Sequence, residues 1–159
     1  MPSPTCLARH AVARWLLVIG TVSGTTIAPR AAIAQKAAVS FPAAGTPVRK
    51  ALLDAVRRQL KTTSQFKVAH LAVSGSHAFV RAGEVVDDGE NLQETDLFVE
   101  TLLERGANGR WRVLHLWNLS DEGEKPAHDA FLAKVRRVMK ERALPVALLP
   151  DDLRVTSNE

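Results

Sequence analysis

Apolar residues fall every four positions along "TPVRKALLDAVRRQLK", at Val48, Leu52, Val56 and Leu60, with Ala55 beside them. That spacing puts them on one face of an α-helix. Thr46 is a helix N-cap and Pro47 suits the first helical position, so the start of this helix has its own signal. After "TTSQ" the period shortens. The runs "FKVAHLAVSG" (66–75) and "HAFVRAGEVV" (77–86) read as strands joined at Ser74-Gly75-Ser76. A polar stretch with an Asp88-Gly89 turn signal leads into "TDLFVETLLERG" (95–106), and "GANG" closes a second hairpin onto "RWRVLHLWNL" (110–119). The last two runs are apolar on both parities, which places them inside the sheet with both faces partly covered. "PAHDAFLAKVRRVMKER" returns to helical spacing at Phe131, Val135, Val138 and Met139, and Pro145 stops it.

These elements predict an α+β fold: an N-terminal helix packed on a curved four-stranded antiparallel meander sheet, with an additional C-terminal helix. The single domain spans 47–150. Residues 35–46, small and broken by Pro42 and Gly45, are expected to be a flexible leader, and 151–159 a frayed tail.

The N-terminus alters the picture. "MPSPTCLARHAVAR" carries Arg9 and Arg14 and no acid; the apolar "WLLVIG" and the small-residue stretch "APRAAIAQ" follow. A basic start, a short apolar core and an A-x-A site at Ala32-Ile33-Ala34 predict a signal peptide over 1–34, cut after Ala34. The expected location is therefore periplasmic or secreted. Cleavage removes three of the 21 basic residues and none of the 17 acids, leaving 18 against 17, a net charge of +1. The high isoelectric point thus belongs to the leader, and nucleic acid drops out as an expected partner. The only cysteine, Cys6, leaves with it, so the mature chain has no disulfide, no thiol nucleophile and no thiolate metal site. Membrane contact is expected only through the signal segment.

The helix–hairpin–hairpin order, with "ALLDAVRRQL", "SGSHAFVRAGEV" and "FVETLLERGANGRWRVLHL", resembles small exported bacterial proteins of the cystatin-like and nuclear-transport-factor-like cone folds. The resemblance covers 47–119, and His77 stands where such sequences often carry an aromatic. It implies a fold and carries no catalytic residues, since that fold hosts enzymes, ligand binders and inhibitors alike.

Candidate chemistry centres on the last strand. By simple alternation Trp111, Val113, His115, Trp117 and Leu119 share a face, directed under the first helix. That would make His115 an acid or base with Asp96 as its carboxylate, and Trp111, Trp117 and His70 a wall for a small apolar ligand. The plainer reading is a semi-buried core histidine among aromatic filler. His70, His77, His115 and His128 lack metal-ligand spacing, and no phosphate loop or nucleophile motif occurs, so neither metal nor cofactor is expected. Charge is segregated: residues 82–104 hold eight acids and no Lys or Arg, while both helices are rich in Lys and Arg. The plainer account of those charges is solvated faces. Taken together, the sequence points to a small non-catalytic domain of the bacterial envelope that binds a protein partner or a small apolar ligand. The alternatives are a cone-fold enzyme working through His115, or a modulator of another envelope protein using its acidic hairpin or a sheet edge.

Overall fold

The computed structural model describes residues 38–119 and 125–154; the expected signal peptide lies outside the described residues. The elements run β1 (Val39–Ser40), α1 (Pro47–Leu60), β2 (Gln65–Ser74), β3 (His77–Asp87), β4 (Leu92–Arg105), β5 (Trp111–Leu119) and α2 (Lys125–Glu141). Two 3-10 turns follow, Val146–Leu148 and Asp151–Leu153. The sheet has five antiparallel strands in the order β1-β2-β3-β4-β5, one more than the sequence pattern predicts. The extra strand arises inside the segment read as a flexible leader. Val39 and Ser40 pair with Ser74 and Val73, lying against the exposed edge that a bare β2 would leave.

Local chemistry accounts for the helix ends. The Thr46 hydroxyl accepts from the Arg49 amide at 3.4 Å, and Pro47 occupies the first turn, as the sequence predicts. At the other end Lys61 sits in the left-handed region with φ 57°, a place usually given to glycine. The β2–β3 turn uses Gly75 at φ 59°, which a side chain would strain.

Both faces of the sheet are covered. On one, α1 lays Leu52, Ala55 and Val56 against Leu71, Ala78, Val80, Ala82, Val99, Leu103 and Trp111. Val48, expected in this stripe, is 41% exposed because it precedes the region where the helix meets the sheet. On the other face, α2 and the C-terminal strap bury Phe131, Leu132, Val135, Met139, Leu148, Leu149 and Leu153 over Ala72, Phe79 and Leu102. The strap is held in part by Leu153, which is buried, so residues 151–153 belong to the packed domain rather than to a frayed end.

Three irregularities in register decide which side chains meet. Val68 pairs with Ala82 and His70 with Arg81, which leaves Ala69 as an extra residue in β2. The β3–β4 pairing slips between Gly83 and Val85. In β5, Leu103 pairs with Val113 and Leu102 with His115, so Leu114 is the extra residue of a β-bulge. A bulge reverses the alternation of every side chain beyond it.

Candidate functional site

The bulge at Leu114 separates the residues that simple alternation groups together. Trp111, before it, packs under α1, 6% exposed, with the Arg105 guanidinium 5.6 Å from its ring centroid and its carbonyl accepting from Arg58 at 3.3 Å. His115 and Trp117, beyond it, lie opposite Leu102 and Glu100 and therefore face α2. The expected face shared by Trp111, His115 and Trp117 beneath the first helix is thus not formed. Asp96 is exposed and six residues from Leu102 along β4, roughly 20 Å of strand. It is not within hydrogen-bond reach of His115. His70 is three strands from β5; its Nε2 lies 3.0 Å from the Leu148 carbonyl, and its ring meets Phe41 and Phe79 edge-on.

What the fold does assemble is a rung of polar side chains across the α2 face. His70, Arg81, Glu100 and Trp117 are consecutive register partners on β2, β3, β4 and β5. Glu100, 1% exposed, is the centre. Arg81 Nε donates to its Oε1 at 2.6 Å, and His128 Nε2, from the start of α2, reaches its Oε2 at 2.8 Å. Arg81 also turns both terminal nitrogens toward Asp152 on the strap, each at 2.9 Å. Burial works against the Arg81 charge, but Asp152 and Glu100 outweigh it and raise its pKa. The Arg81 hydrogen bonds in turn lower the pKa of Asp152. One carboxylate therefore ties the sheet to α2, and one guanidinium ties it to the strap.

Trp117 completes the rung at the edge. Its ring lies 4.3 Å from the His128 ring, centroid to centroid, and 6.5 Å from Phe98. Its Nε1 is buried without an acceptor. The next rung, Ala72, Phe79, Leu102 and His115, is apolar apart from the histidine at its end. Burial, with Lys134 and Arg137 nearby on α2, pushes the His115 pKa down. A third rung is polar again. His77, 5% exposed, lies opposite Glu104 with Nε2 3.7 Å from its carboxylate, and Arg112 is hydrogen-bonded to the same group. Burial lowers the His77 pKa; Glu104 opposes the shift and Arg142 adds to it.

The central residues of the first rung are ones that the sequence pattern assigns to other roles. Glu100 falls in the acidic run read as a solvated face, and His128 among histidines without metal spacing. A signal was present: Glu100 stands in "LFVETLL" and Arg81 in "HAFVRAG", runs apolar on both parities, where a charge is buried and must be paired. Of the other acids of the run, Glu104 and Glu84 are half-buried and hydrogen-bonded, while Asp87, Asp88, Glu90, Glu94 and Asp96 are surface charges. Asp88, at the hairpin tip, accepts from the amides of Glu90 and Asn91 and is fully exposed, its pKa lowered by those bonds.

Concavities lie at the margins of the sheet. One of about 450 Å³ lies between His70, Arg81, Phe41 and the strap, and one of about 350 Å³ between β5 and α2 at His115, Trp117, Phe131 and Lys134. Among the described residues no three His, Asp or Glu side chains converge to hold a metal ion. Among them, too, no helix is long and apolar enough to cross a membrane. The chain matches no protein-family model, no curated protein and no solved structure.

Proposed function

We propose that this chain is a small exported domain of the bacterial cell envelope, of cystatin-like or nuclear-transport-factor-like type, that acts by binding a protein partner without chemistry of its own. The observation that carries this reading is the filling of both sheet faces. Leu52, Val56, Phe79, Leu102, Val135 and Leu148 are all fully buried, so the space that an enzyme of such a fold would keep for substrate is occupied by side chains. Export is supported by the basic, apolar and small-residue pattern of 1–34. A partner is favoured over a small apolar ligand because the concavities at the sheet's margins are open and partly polar.

The test is capture from envelope extract by the mature chain beginning at Gln35, with chemical crosslinking and mass spectrometry. A specific partner, retained less as salt rises, is the expected result. An extract that yields nothing above bare resin, from any growth condition that expresses the protein, overturns the reading.

Proton transfer has one observation in its favour. Among the described residues, His128 is hydrogen-bonded to a carboxylate, that of Glu100, which could orient it as the expected Asp96 does not orient His115. Turnover of an ester or epoxide panel that disappears in His128→Gln, while thermal stability holds, would favour this second reading.

A further inference from the structure

β5 is the last strand of the sheet, and no described strand covers its outer side. Its first residue is already engaged, since Arg58 donates to the Trp111 carbonyl, and the bulge at Leu114 interrupts the edge. Beyond the bulge the register is regular for five residues, 115–119. Such an edge offers a row of main-chain donors and acceptors to a peptide that adds as a sixth strand. Beside it runs the groove between β5 and α2, lined by Leu114, His115, Trp117, Phe131 and Lys134, with a volume of about 350 Å³.

The described charges that line this groove or act on His115 beside it are cations of α2. Lys134 and Arg137 on α2 are exposed and form no ion pair among the described residues. Their field extends to His115, on the strand itself. The inner edge of β5 shows what such a strand accepts: its neighbour there is the acidic β4, and Arg112 of β5 binds Glu104 across the pair. No described strand lies along the outer edge.

Resting on the binding reading above, the geometry points to β5 residues 115–119 and the adjoining face of α2 as the docking site for an extended, acidic segment of a partner protein. A second copy of this chain fits poorly. Joining two β5 edges would bring the unpaired Lys134 and Arg137 of both copies near each other. A lipid surface fits poorly too, because the apolar face of α2 is already spent on the sheet through Phe131, Leu132, Val135 and Met139. A polyanion without peptide groups would leave the strand edge unused.

The test uses two probes, a heptapeptide alternating valine with glutamate and its counterpart alternating valine with lysine, titrated against the mature chain and followed by amide NMR. The glutamate peptide is expected to shift the resonances of 115–119 and of α2 around Phe131 to Arg137, and to bind at least about tenfold more tightly than the lysine peptide. The double variant Lys134→Glu/Arg137→Glu, both positions exposed, is expected to keep its melting temperature and lose that preference. Equal binding of both peptides, no binding, or shifts confined to another part of the sheet would overturn the site. Failure of the broader reading looks different. If the wild-type domain and the double variant capture the same partner from envelope extract, only the site is wrong; if neither captures any, the binding reading itself fails.

Discussion

The two faces of the sheet solve the same packing problem by different means. Under α1 the contacts are apolar, from Leu52 and Val56 to Val80, Val99 and Leu103, with no titratable group in the buried cluster. Under α2 and the strap, apolar residues alternate with polar rungs: His70, Arg81, Glu100 and Trp117, then the Phe79–Leu102 rung, then His77, Glu104 and Arg112. Apolar contacts are tolerant of small shifts, whereas a buried carboxylate shared by Arg81 and His128 is satisfied in one arrangement only. The α1 face supplies stability of a general kind; the α2 face fixes where its helix and strap sit.

The most severe test of that difference is Glu100. Replacing it with leucine leaves His128 without its carboxylate and Arg81 with Asp152 alone, at an expected cost of about 3–5 kcal/mol in urea unfolding. The double variant Arg81→Met/Glu100→Leu removes both charges and is expected to recover most of the loss. If the double variant is as unstable as the single, the rung contributes volume rather than charge pairing.

On the opposite face, Leu52→Ala is expected to cost about 2–5 kcal/mol by opening a cavity under α1. The distinguishing prediction is that this loss is the same at pH 8 and pH 5.5, since none of the residues in that cluster titrates between those values. A loss that changes with pH would erase the contrast between the faces.

Acid should weaken the α2 face first. His77 and His115 both have pKa values below the ordinary 6.5 because burial disfavours their charged forms. The unfolded chain therefore binds more protons than the folded one once pH falls below about 6.5, so stability is fully present above that value and declines beneath it. The carboxylates held low by their partners, Glu104 by Arg112 and Asp152 by Arg81, add a further loss at lower pH as they protonate. Urea midpoints measured from pH 8 to pH 5 should fall, and His77→Asn should flatten the upper part of the curve. A flat profile in the wild type would contradict the burial of these imidazoles.

This contrast also explains what could be read from the residues alone. α1 was legible from its N-cap onward, because Thr46, Pro47 and the four-residue apolar spacing act locally. The meander was legible from alternation and turn residues. The candidate site was not, because it depends on register. The bulges at Ala69 and Leu114 carry no glycine or other local mark, yet the second sends Trp117 to the opposite face from Trp111. β1 escaped for a related reason: two residues such as Val39 and Ser40 have no periodicity, and only the β2 edge makes them a strand. Glu100 was visible as an acid, and its partners became visible only once three strands and a helix were in place.

The smallest effect tests whether local signals govern the α1 side as fully as this implies. Lys61 closes α1 in the left-handed region, where its Cβ meets the neighbouring carbonyl, and its amide donates to the Arg57 carbonyl. Lys61→Gly keeps that hydrogen bond and removes the clash, so it should stabilise the domain by about 0.5–1 kcal/mol despite the greater freedom of glycine in the unfolded chain. The gain should appear in the urea midpoint and leave the pH profile parallel to wild type, because Lys61 touches none of the rungs under α2. A loss of stability instead would mean that the lysine side chain supports the helix end through contacts stronger than the backbone strain it imposes.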